Sequence, residues 1–130
     1  MSDVRVGVVG TGFIGLEHVA RFENSINGAS VSAIVEPDES RARTALQISP
    51  NAQWFPTIES ALESKAMDAV LIATPGQFHE PVILPVLEYG LPILCEKPLT
   101  PDPVSSLRIV NAEIAKGRKL IQVGFMRRFD

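Results

Sequence analysis

The chain has 130 residues, 45% of them apolar, which is the size of one domain with a core of its own. Its 12 basic and 15 acidic side chains leave a formal charge of −3, too mild for a nucleic-acid binder or a protein held on an acidic membrane. Cys95 is the only cysteine, so an intrachain disulfide is excluded, no metal ligands are assigned, and a reducing, cytoplasmic setting is expected.

Val4 to Val9, VRVGVV, reads as a short β-branched strand, too short for the core of a signal peptide. It leads through Gly10, Thr11 and Gly12 into an amphipathic helix from Phe13 to Ile26, with Phe13, Leu16, Val19, Ala20 and Phe22 at helical spacing. Val31 to Val35 is a second strand, and Pro37 to Ile48 a second helix stopped by Pro50 and Asn51. Trp54 and Phe55 make a third, very short strand, after which Thr57 N-caps a helix through Leu62. Asp68 to Ala73 is almost wholly apolar, as a central parallel strand covered on both faces should be.

The next helix runs from about Glu80 to Tyr89 and ends at Gly90. Pro81 suits its first turn, whereas Pro85 should kink or shorten it. Pro92 to Cys95 is the fifth strand and Pro103 to Lys116 the next helix, ended by Gly117. Lys116, Arg118 and Lys119 read as solvated cations suited to that helix end. Lys119 to Phe125 is the sixth strand. The apolar runs are all short and interrupted, so none spans a membrane, and no linker or repeat divides the chain.

Strands alternating with helices predict an α/β fold, a doubly wound and mostly parallel six-stranded sheet of Rossmann type in the order 3-2-1-4-5-6. Ligands of such sheets bind outside the carboxyl ends of the strands. Gly10, Gly12 and Gly15 form Gly-x-Gly-x-x-Gly directly between the first strand and the first helix. That is the place a dinucleotide fingerprint requires, with the amides of Phe13 and Ile14 on the phosphates. The turn lacks the Gly-Lys-Ser/Thr of a phosphate-loop NTPase.

Glu36 follows the second strand, 21 residues after Gly15. A spacing of about 20 residues suits an acid that accepts hydrogen bonds from the adenosine ribose. A carboxylate there would repel a 2′-phosphate, so NAD is expected over NADP. Arg41 and Arg43 are expected to face water. Thr74 and Pro75 leave the fourth strand where they can line the cleft, and His79 either caps the next helix or reaches a ribose. Glu96, Lys97 and Pro98 leave the fifth strand at the same edge, facing the nicotinamide half of a bound dinucleotide, where the proline would aim the lysine.

Together the glycine loop, Glu36, ATP at Ala73 to Pro75 with His79, EKPL at Glu96 to Leu99 and GFMRRFD at Gly124 to Asp130 resemble the glucose-fructose oxidoreductase, inositol dehydrogenase and rhizopine-catabolism (Gfo/Idh/MocA) family. The resemblance covers the whole chain. It implies a nicotinamide-dependent oxidoreductase acting on a secondary alcohol of a sugar or polyol, with the last motif most similar to inositol dehydrogenases. Lys97 would touch the substrate hydroxyl and position the nicotinamide, Glu96 and Pro98 would shape its turn, and Arg127 would lie near the nicotinamide ribose or substrate.

Members of that family carry a second α/β domain that supplies the Asp and His for substrate binding and proton transfer. Residues 1–124 are therefore expected to be the dinucleotide-binding domain, and 125–130 the start of a connection to a catalytic domain absent here. The fragment alone is expected to be inactive. The resemblance implies a homo-oligomer in the full-length form, and LIQVGF, deprived of its cover, is expected to promote self-association. Two rival readings are a stand-alone NAD(P) sensor, which has no need of an aimed Lys97, and an S-adenosylmethionine-binding sheet, which the glycine spacing disfavours.

Overall fold

The computed structural model describes residues 4–24, 27–96 and 99–124. Its strands are β1 (Val4–Val9), β2 (Ala29–Val35), β3 (Gln53–Phe55), β4 (Ala69–Ile72), β5 (Ile93–Glu96) and β6 (Ile121–Gly124). They form one parallel sheet in the order β3-β2-β1-β4-β5-β6, as the alternating pattern predicts. The helices are α1 (Phe13–Asn24), α2 (Glu39–Ile48), α3 (Ile58–Glu63), α4 (His79–Glu88) and α5 (Pro103–Lys116).

Because successive strand residues point to opposite faces, Val8 and Val9 enter different layers. Val19 of α1 and Ala42 and Ala45 of α2 pack with Val6, Val8, Val31, Ile34 and Leu71 on one face. Ile58 and Ala61 of α3, Ile83 and Val86 of α4 and Ile109 of α5 pack with Val9, Val35, Val70, Ile72 and Ile93 on the other. Ile34 and Ile72 are fully buried, and side chains of this kind each stabilise a fold by about 1.5–3 kcal/mol. Beyond α1 a hollow of about 750 Å³ lies over β4 to β6, lined by Phe22, Leu71, Leu94, Ile121 and Val123 among others, with Leu94 exposed.

Several boundaries differ from the sequence pattern for local reasons. The second helix begins at Glu39 rather than Pro37 because the Asp38 carboxylate accepts from the amides of Ser40 and Arg41 and caps it. Thr57 caps α3 as predicted, accepting from Ser60, and Asp102 caps α5 through Ser105. Pro85 does not shorten α4, which continues to Glu88. Burial of Ile83, Val86 and Leu87 around it offsets the one helical hydrogen bond that proline cannot make. Gly76–Phe78 forms a tight 3₁₀ turn ahead of α4 that the pattern did not show. The last strand starts at Ile121, where Glu113 Oε2 accepts from the amides of Leu120 and Ile121 at 2.8 and 2.7 Å. Ile26 and Phe125, the expected ends of the first helix and last strand, lie outside the described residues.

Candidate functional site

The strand order reverses between β1 and β4, and the chain leaves β1 at that point. Gly10 donates its amide to the carbonyl of Val35, and Ala73 donates to that of Val9, so the glycine loop starts at the centre of the sheet edge. Gly10 has φ +91°, and a Cβ there would come within 2.7 Å of Thr74 Cγ2. A Cβ on Gly15 would overlap the carbonyl oxygen of Gly10, so α1 crosses the loop at a contact only glycine permits. Gly12 is different. A Cβ there would have nothing within 4 Å, because it would stand in the open cleft. The first amides of α1, at Phe13 and Ile14, have no partner within the helix and carry the positive end of its dipole to the same place.

Glu36 directly follows β2 and is buried. Its Oε1 accepts from both the amide and the hydroxyl of Thr11, each at 2.9 Å, and its Oε2 accepts from the amide of Asp38 at 3.1 Å. Trp54 Nε1 donates to its carbonyl at 2.8 Å. A carboxylate offers about four lone-pair sites. Three are used, and the remaining capacity suits a hydroxyl arriving from the cleft that Glu36 lines. The threonine between the glycines is thus part of the site, a role the spacing of the glycines did not reveal. Arg43 is bound to Glu39 at 2.7 Å, and Arg41 is exposed as expected and also lines the cleft.

At the other end Thr74, Pro75 and Gly76 line the cleft as they leave β4. Thr74 Oγ1 is buried and has no hydrogen-bond partner among the described residues. His79 does not cap α4 through its side chain, and it is not among the residues lining the cleft. Its ring is buried, with Nε2 2.7 Å from the carbonyl oxygen of Thr74 and Nδ1 2.8 Å from that of Leu99. Cys95 Sγ lies 3.2 Å from the same Nδ1. Burial first, and then the Glu96 carboxylate, push the Cys95 thiol up to about 12, so it stays protonated and is no nucleophile at neutral pH.

Glu96 closes this end of the cleft, and its Oε2 accepts from His18 Nε2 of α1 at 2.9 Å. His18 was not singled out by its sequence position. Lys97, Pro98 and Arg127 lie outside the described residues. Among the described residues, no group of His, Cys, Asp and Glu side chains could hold a metal ion, and no helix is long and apolar enough to cross a membrane.

The whole cleft has a volume of about 830 Å³ and runs from Arg41 and Thr57, past Gly10 to Ile14, to Glu96. Its size is that of a small-molecule site. An acid at one end and free helix amides with an open glycine in the middle fit the first parts of a dinucleotide in order: ribose, then pyrophosphate.

Residues 4–125 match the family described as oxidoreductase family, NAD-binding Rossmann fold. The chain is 61% identical over 129 residues to inositol 2-dehydrogenase of Corynebacterium glutamicum (strain R), covering 99% of this chain and 38% of that relative. It is 53% identical to inositol 2-dehydrogenase of Leifsonia xyli subsp. xyli, with 98% and 38% covered. Among solved structures, myo-inositol dehydrogenase from Lactobacillus casei in complex with NAD(H) and myo-inositol superposes with a TM-score of 0.92 at 40% identity, covering 98% of this chain and 38% of that one. The chain therefore spans under two fifths of the length of these relatives.

Proposed function

This chain belongs to the Gfo/Idh/MocA oxidoreductase family, and on that premise we propose that it is the NAD-binding part of a dehydrogenase that oxidises a secondary alcohol of an inositol or related polyol. The observation that carries this reading is the coupling of the glycine loop to Glu36 through Thr11, at the point where the sheet order reverses.

When bound, NAD supplies the hydride acceptor. Glu36 would hold the adenosine ribose, the amides of Phe13 and Ile14 the pyrophosphate, and Thr74 and Pro75 would line the place of the second nucleoside. Lys97 would hydrogen-bond the reacting oxygen and steady the nicotinamide, with Arg127 close to the same end. Residues 1–124 would form the cofactor domain, and 125–130 would lead toward the part of the relatives that this chain does not span. That part would bind most of the polyol, accept its proton and make the subunit contacts of a homo-oligomer.

The test is reduction of NAD⁺ by myo-inositol, followed by absorbance. The 130-residue chain alone is expected to show no turnover, and the same chain joined to the remaining residues of the Corynebacterium glutamicum relative is expected to turn over. Turnover by the chain alone that disappears in Lys97→Ala would overturn the two-part reading. A joined protein that folds and binds NAD but oxidises no inositol would overturn the substrate class.

A further inference from the structure

Two buried histidines from different helices meet the chain on either side of Lys97. His18, on the second turn of α1, holds the carboxylate of Glu96, one residue before it. An ionised carboxylate only accepts, so the His18 Nε2 carries the proton of that bond. His79, at the start of α4, contacts the carbonyl of Leu99, two residues after Lys97, and through its other nitrogen the carbonyl of Thr74. Both rings are withdrawn from the cleft, at 6% and 1% exposed, and neither lines it.

We propose that His18 and His79 are positioning residues that hold the chain on either side of Lys97, at Glu96 and Leu99, and tie it to the cofactor-binding loops. The inference rests on the reading of Lys97 given above and extends it to side chains that reading does not use. His18 sits on α1, whose first turn faces the pyrophosphate site, so the bond to Glu96 links that helix to the residue before Lys97. His79 links Leu99 to Thr74, whose methyl stands against Gly10. Side chains locked by a supporting shell hold reacting groups where a displacement of about 1 Å can cost on the order of 100-fold in rate.

The 130-residue chain itself supports the test, which reads Lys97 by mass spectrometry after brief acetylation with acetic anhydride. NAD⁺ is added at about ten times its Kd, leaving about one chain in eleven free, so a lysine covered by cofactor should react about tenfold more slowly. Lys65 and Lys116, exposed and away from the cleft, are the internal standards.

In the parent chain Lys97 is expected to be protected. In His18→Leu, which keeps the volume but has no donor, and in His79→Leu, protection should fall below about twofold at the same fractional saturation. His18→Gln, which restores an N–H donor, should recover it. The Kd for NAD⁺ and the rates of the standards should change little in all three. If His18→Leu loses cooperative melting, His18→Met, which also lacks a donor and lies outside the cleft lining, carries the same expectation. Full protection in the leucine variants, with the parent also protected, would overturn the bracketing role and leave the function intact. An unprotected Lys97 in the saturated parent would overturn the placement of Lys97 itself, and the bracketing role with it.

Discussion

Gly12→Ala is expected to weaken NADH binding by about 100-fold or more while leaving the melting temperature within about 2 °C of the parent. Nothing in the protein occupies the space its methyl would enter, so the methyl displaces only the ligand. Keeping a pyrophosphate away from two helix amides removes charge-assisted bonds worth about 1.5–3 kcal/mol each. Gly15→Ala should behave differently, because its methyl meets the Gly10 carbonyl and forces α1 away from the loop. Overpacking of this kind costs about 1–3 kcal/mol, which lowers Tm by roughly 5 °C or more, and binding should be lost with it. Calorimetric titration and thermal melts of the two variants check both statements. Loss of stability in Gly12→Ala with unchanged affinity would show that the loop is an ordinary turn.

In the chain joined to the rest of a relative, Lys97→Met is expected to lower kcat by about 100-fold or more with little change in the Kd for NAD. An ammonium that meets the reacting oxygen stabilises charge that develops mainly in the transition state, so its loss appears in turnover rather than in cofactor affinity. Lys97→Arg should rescue poorly, since a planar fork on a longer stem does not replace a compact ammonium at an aimed position. Near-normal kcat in Lys97→Met would reduce this lysine to a solvated surface charge.

What could be read from the sequence was whatever is written in local order. The six-strand order followed from β-branched runs alternating with helical spacing, and α5 was placed to the residue because Pro103 suits a first turn and Gly117 ends the helix. The glycine loop and Glu36 announced themselves by spacing. Contacts made across the chain did not. Thr11 and Glu36 are 25 residues apart, His18 and Glu96 are 78 apart, and neither pair leaves a periodic trace. His79 was noticed because it follows Thr74 and Pro75, but only the buried environment between α4 and β5 shows that its ring turns inward, toward Leu99 and Cys95. Pro85 was expected to kink or shorten α4, and the helix is not shortened because the packing of Ile83 and Val86, which the local rule for proline ignores, holds it together. Arg41 faces water as expected, but its place on the cleft was not legible for a similar reason. The α2 cap at Asp38 sets where the helix begins, and that places Arg41 at the mouth of the cleft.

The central claim is that Glu36, fixed by Thr11, reads the ribose of a bound dinucleotide. The ratio of the NADPH and NADH dissociation constants of this chain, measured by calorimetry at matched salt, tests it most directly. A 2′-phosphate brought to a buried carboxylate meets a like charge at close range, and NADH should bind about tenfold tighter or better. Glu36→Gln keeps an acceptor for Thr11 while removing the charge, so it should bring the two constants together. NADPH binding as tightly as NADH in the parent chain would contradict the account.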